Sequence, residues 1–287
     1  MKKFNKVIAL VLAVLFVAAS FAACSSNSGN DGKGTTEAAK TQKVKVIDIA
    51  LSDEEYAFGV DKKQPELKEK ANAFIKELKK SGKLDEICNH YFGGGEPAGV
   101  TSATEDSTKD QLVVATNAEF EPFEYKKGDT FYGIDMEIAK ALADSLGKEL
   151  VIKDMKFEAV VTSVQQQKCD IAMAGLTVNE TRAKQVDFTD SYYSASQKVV
   201  VKGDDTTFDA CKTKEDVEKI LNGLDSSVKI GGQNGTTGQS YVQGSKDMGF
   251  AGLKAQFVGY DNASLAMQDL INGNPVSYTH LTLPTIA

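Results

Sequence analysis

The chain has 287 residues, enough for two domains of ordinary size, and its 41% apolar and 25% charged content is that of a globular protein. A net charge of −7 argues against nucleic acid or an anionic membrane surface as the main partner, because both demand a basic face. With no Trp and two His, one of them in a tail set aside below, neither a His-dependent triad nor a His-rich metal site is expected, and no cofactor is.

The first segment reads as an address. Lys2 and Lys3 precede an apolar run over 7–23 that ends Phe21-Ala22-Ala23-Cys24. Small residues at that point suit a cleaved secretory signal, and the run is short for a span of about 20 residues. A Cys directly after the small pair resembles a bacterial lipobox. That resemblance implies a lipoprotein signal peptide over 1–24, a diacylglycerol on Cys24, and a mature chain at the extracellular face of the membrane or in the periplasm. Residues 25–43 carry almost no apolar content and should form a flexible tether. Cys88, Cys169 and Cys211 remain; a disulfide is permitted there, and the pair stays open. Cys88 shares an apolar stripe with Leu84, Ile87 and Tyr91, as a buried thiol does.

A strand is expected over 44–51, then a helix that Pro65 opens and Gly82 ends, with Leu67, Ala71, Phe74, Ile75 and Leu78 on one face. A shorter helix carries Leu84, Ile87, Cys88 and Tyr91. Residues 94–109, rich in Gly, Ser, Thr and acid, read as a linker. From Gln111 the pattern alternates. Strands are expected at 112–115, 150–152, 170–174, 198–201, 228–230 and near Phe257. Helices are expected at 135–146, 157–167, near Gln239 and at 264–271. The continuous apolar run at 112–115 is that of a buried parallel strand, and the alternation means α/β lobes with ligands at the carboxyl ends of the strands.

Four ordered runs then carry a family resemblance. They are 114–125 (Val-Ala-Thr-Asn-Ala-Glu-Phe-Glu-Pro-Phe-Glu-Tyr), Gly133-Ile134-Asp135, 170–182 (Asp-Ile-Ala-Met-Ala-Gly-Leu-Thr-Val-Asn-Glu-Thr-Arg) and 186–193 (Val-Asp-Phe-Thr-Asp-Ser-Tyr-Tyr). Residues 110–275 resemble the extracellular solute-binding proteins of polar amino acid ABC importers, which have the two-lobed type II periplasmic-binding-protein fold. An amino acid is a zwitterion, so burying it requires a partner for each charge. Arg182 can grip a carboxylate with two parallel bonds, and the resemblance gives it that role. By the same resemblance Gly175, Leu176 and Thr177 line the site, Thr177 with its hydroxyl and N–H, Gly175 with its carbonyl toward the ammonium. Phe120 and Phe157 flank the ligand side chain, while Phe123 packs beneath. The loop 231–238 follows a strand and opens a helix, a junction whose N–H groups bind anions. It lacks the Lys of a P-loop, and the family uses it for the ligand carboxylate, here through Thr236 or Thr237. Asn117 either meets the ligand side chain or is a turn residue. Where relatives often carry an acid, its amide brings no charge, which favours a polar or neutral amino acid over Lys or Arg.

Residues 44–93 also resemble the family, but they match its C-terminal end. Circular permutation is the economical reading, and a tandem or chimeric assembly is the rival. Residues 110–194 then complete lobe 1 and 195–275 form a truncated lobe 2, so that the fold is α/β with lobe 2 incomplete. Residues 276–287 resemble a translated sequencing-library adapter and are expected to be a non-native tail. The implied function is a lipid-anchored amino-acid-binding component of an ABC importer, with an L-amino acid, the importer permease and the membrane as partners. It is not an enzyme. A dehydratase-like enzyme or a receptor sensor domain on the same fold is the alternative.

Overall fold

A computed structural model describes residues 44–273 and the backbone of 278–284. The signal segment, Cys24 and the tether lie outside the described residues, as do 274–277 and 285–287.

Three short strands come first, β1 (Val44–Ile47), β2 (Glu54–Tyr56) and β3 (Gly59–Asp61), then helices α1 (Pro65–Ser81) and α2 (Lys83–Phe92). α1 starts at Pro65, where a missing N–H leaves no gap, and stops at Gly82, whose φ of 76° is left-handed. Leu67, Ala71, Ile75 and Leu78 form its buried face, and Phe74 is half-buried beside them. The chain continues through β4 (Gln111–Thr116), β5 (Glu119–Phe120), β6 (Glu124–Lys127), β7 (Thr130–Tyr132), α3 (Ile134–Ser145), β8 (Glu149–Asp154), α4 (Phe157–Gln165), β9 (Ile171–Ala172), α5 (Glu180–Ala183) and β10 (Val186–Phe188). It ends with β11 (Tyr193–Lys202), α6 (Lys214–Gly223), β12 (Lys229–Gln233), α7 (Thr237–Gln243), β13 (Gln256–Tyr260), α8 (Ala263–Asn272) and β14 (Tyr278–Pro284). The β5–β7 meander and α6 have no counterpart among the expected elements. α6 carries a complete capping box between Thr213 and Asp216 and buries Val217 and Leu221.

The first lobe is built on a sheet in the order β10-β3-β9-β4-β8. β4 runs parallel to both β8 and β9. β3 lies antiparallel between β9 and β10, so the front segment supplies an interior strand. α1 and α2 pack against α3 around Leu67, Ile75, Ile87, Ile138 and Leu142. The segment read as a linker is pinned to this lobe. Val100 exchanges two backbone hydrogen bonds with Phe131, at 2.7 and 2.9 Å, and the Ser102 hydroxyl accepts the Ile152 N–H at 2.8 Å.

The second sheet has the order β1-β11-β14-β12-β13, with β2 also on β11. Its core gathers Val199, Val201, Phe208, Val217 and Leu221. β1 belongs here, paired with Val199–Lys202, so the front segment serves both lobes. β14, within the tail set aside as foreign, lies antiparallel to β11 and parallel to β12. A gap was expected at this point. The edges of β11 and β12 that face each other leave room for a strand-forming run, and Leu281-Thr282-Leu283 gives this one its alternation.

Candidate functional site

β4 and β9 point their carboxyl ends toward the second lobe, the edge at which α/β sheets hold ligands. A cleft with about 480 Å³ of empty space, part of it open to solvent, lies there. Tyr56, Asn117, Phe120, Glu124, Phe157, Gly175, Thr177 and Arg182 line it from the first lobe, and Gln233, Thr236, Thr237 and Ala263 from the second.

Arg182 is set by local structure. Asn179 caps α5 and accepts the Arg182 N–H at 2.8 Å, which fixes the backbone from which the side chain turns inward. Arg182 is 8% exposed, and its guanidinium lies 5.3 Å from the centre of the Phe157 ring. It donates to the Thr177 carbonyl at 2.7 Å and, across the cleft, to the Gly235 carbonyl at 3.0 Å. Among the described residues no carboxylate is paired with it. Burial lowers its pKa to about 10, with Glu54 and Tyr56 opposing the shift, so it remains a cation at neutral pH.

Gly175 has a φ of +52°, and a Cβ there would meet the Phe120 ring at 3.0 Å, so only Gly lets the aromatic lie flat on this turn. Its N–H donates to Asp135 at 2.8 Å. Phe120 stacks on Phe123 with ring centres 5.6 Å apart. Phe123 is fully buried, as expected. The Thr177 hydroxyl donates to Glu54 at 2.6 Å and accepts from Thr237 of the second lobe at 3.2 Å. Thr236 turns its hydroxyl to the Gln233 carbonyl and caps α7. Asn117 uses both ends of its amide: it donates to the Met155 carbonyl and accepts from Gln233 across the cleft, both at 2.8 Å. The Lys156–Asp261 pair at 3.0 Å and the Asn262–Glu119 bond at 2.9 Å also join the lobes, so this conformation is closed.

The structure thus gathers eight of the nine expected side chains. Leu176 is the exception: it is 1% exposed and packs with Val160 and Val186 behind the cleft. The sequence reading did not single out Glu124. It lines the cleft, is fully buried, and neither carboxyl oxygen has a hydrogen-bond partner among the described residues. Burial pushes its pKa well above the usual carboxylate range, and Asp135 adds to the rise. Asp135, bonded to the Tyr192 hydroxyl at 2.5 Å as well as to Gly175, is itself pushed up to about 7 by burial. No local signal separates Glu124 from Glu119 or Glu121; its position directly after the buried Phe123 is the one hint.

The family model of the bacterial extracellular solute-binding proteins, family 3, matches residues 112–265. The Arginine-binding extracellular protein ArtP of Bacillus subtilis (strain 168) is 41% identical over 106 residues, covering 37% of this chain and 42% of the relative. ABC transporter arginine-binding protein 1 of Escherichia coli (strain K12) is 30% identical over 168 residues, covering 58% and 61%. The chain therefore spans about half the length of the curated relatives it matches. Among solved structures, an ancestral arginine-binding protein bound to arginine aligns with a TM-score of 0.50 at 34% identity, covering 61% of this chain and 70% of that one. The ancestral amino acid-binding protein AncCDT-1, a precursor of cyclohexadienyl dehydratase, aligns with a TM-score of 0.50 at 28% identity, covering 70% and 74%.

Proposed function

Because the chain belongs to the bacterial extracellular solute-binding proteins, family 3, we propose that it captures a cationic L-amino acid of the arginine class between its lobes and delivers it to an ABC importer. One observation carries the choice of cargo. A buried guanidinium without an acid and a buried carboxyl without a donor line the same cleft. An arginine zwitterion answers both, its carboxylate on Arg182 and its guanidinium on Glu124, with Phe120, Phe157 and Tyr56 as walls. Asn117 had pointed to a neutral cargo because its amide brings no charge. Glu124 supplies that charge from another position, and the names of the matched relatives agree with the change. Those relatives are binding proteins rather than enzymes.

Ligand that touches both lobes selects the closed arrangement, which the importer reads. Residues 44–93 then act as a permuted C-terminal segment that completes lobe 1 through β3, α1 and α2 and lends β1 to the second sheet, and 276–287 as a non-native tail. Lipidation at Cys24 holds the protein to the outer face of the membrane; mass spectrometry of the mature N-terminus tests it, and an unmodified Cys24 refutes it. A thermal-shift screen of the twenty amino acids tests the binding reading, since a ligand of the native state raises its melting point. Arginine should give the largest shift. A larger shift from a neutral amino acid overturns the assignment of cargo, and no shift from any overturns amino-acid binding.

A further inference from the structure

Glu54 lies on β2, 4% exposed, opposite Ala195 of β11 and in the stretch between β1 of the second sheet and β3 of the first. Its Oε1 accepts from the Ser52 hydroxyl at 2.7 Å and from the Gln197 side-chain amide at 2.8 Å. Its Oε2 accepts from the Thr177 hydroxyl at 2.6 Å. The proton directions follow from chemistry. An amide nitrogen donates, the Ser52 oxygen is already taken by the Gln197 N–H at 2.9 Å, and a carboxylate only accepts. The Thr177 proton is therefore committed to Glu54, away from the cleft. With its proton so committed, Thr177 can only accept from a ligand, with the one of its two lone pairs that does not receive the Thr237 hydroxyl in the closed form. Such an oxygen suits an ammonium and repels a carboxylate. Arg182, the natural carboxylate partner, sits one residue contact away, its Nη1 on the Thr177 carbonyl. Arg182 and Glu54 thus place opposite charges on the two sides of Thr177.

We propose that Glu54 makes the cleft select an α-ammonium, as a positioning residue that acts through the Thr177 hydroxyl; this rests on the amino-acid reading above. With Glu54→Gln, one oxygen must satisfy Ser52 and Gln197, the NH2 turns toward Thr177, and the hydroxyl proton is released to swing into the cleft. The test is calorimetric titration of the full chain with three probes: L-arginine, 5-guanidinopentanoic acid (no ammonium) and agmatine (no carboxylate). The native chain should bind 5-guanidinopentanoic acid roughly tenfold to a hundredfold more weakly than L-arginine, the worth of one charge-assisted hydrogen bond. In E54Q that ratio should shrink to about threefold or less, while the L-arginine to agmatine ratio stays as in the native chain. Thr177→Val, which removes the hydroxyl and keeps the shape, should show the same pattern and stands in if E54Q does not fold. A native L-arginine to 5-guanidinopentanoic acid ratio in both variants overturns the proposal. So does a uniform loss for all three probes, the mark of a merely structural role. A native chain that binds L-arginine while either result holds overturns Glu54 alone; a native chain that binds no amino acid overturns the binding reading, and this inference with it.

Discussion

Replacing Glu124 with Gln should separate arginine binding from the rest of the site. The change keeps the shape of a fully buried side chain and removes only its ability to ionise. Both carboxyl oxygens are without partners among the described residues, so a ligand guanidinium meets no competitor there. Loss of the charge-assisted contact should weaken arginine by about 1.5–3 kcal/mol, or roughly tenfold to 150-fold, and leave glutamine almost unchanged. The pH dependence has a defined sign. Burial favours the neutral form of Glu124, whereas a bound guanidinium favours the carboxylate, so arginine binding should expel a proton. Affinity for arginine should then rise with pH until the free-state value is reached, and E124Q should be flat in that window. Stability runs the opposite way. A raised folded pKa contributes stability that is complete below the unfolded value of about 4.3 and is lost as pH rises through the folded value. At alkaline pH, E124Q should therefore be the more stable protein when no ligand is present. Titration calorimetry in buffers of different ionisation heat counts the protons released. An arginine affinity that E124Q leaves unchanged, or an equal loss for glutamine, refutes the reasoning.

Arg182→Ala should weaken every amino acid by a few hundredfold or more, since stripping one partner from a buried charge pair costs about 3–5 kcal/mol; a native affinity by calorimetry would displace the carboxylate from this residue. Gly175→Ala forces a side chain onto a φ of +52° and into the Phe120 ring, and should lower stability by about 1–2 kcal/mol and weaken binding, both readable by denaturant melts with and without arginine. Ile75→Ala, at the 2%-exposed centre of the α1 face, should cost about 2–5 kcal/mol. Deleting 44–93 removes the strand between β9 and β10 and should abolish cooperative unfolding of the remainder; a fragment of 110–275 that melts cooperatively would mean the front segment is dispensable.

What the sequence determined was whatever is written within a few residues. The face of α1 follows from the spacing of Leu67, Ala71, Ile75 and Leu78, and its ends from Pro65 and Gly82. The Asn179-to-Arg182 turn that aims the guanidinium closes within four residues. The placement of Arg182, Phe120, Phe157 and Gly175 around one cleft was expected only from the resemblance of their motif runs to the solute-binding family; taken alone, an Arg in that turn reads as a helix cap or surface pair and the aromatics as core. Only tertiary structure decided the charges that complete the site. Glu124 looks like its acidic neighbours until burial strips it of water, and burial is a property of everything packed around β6. Glu54 meets Thr177 across 123 residues of chain, a pairing that no local pattern encodes. The strand over 278–284 found its slot for a similar reason: the open edges of β11 and β12 belong to the sheet and not to either strand. Side-chain periodicity states which face is apolar. Which faces meet, and so which polar groups lose water without gaining a partner, is settled when the lobes close on one another.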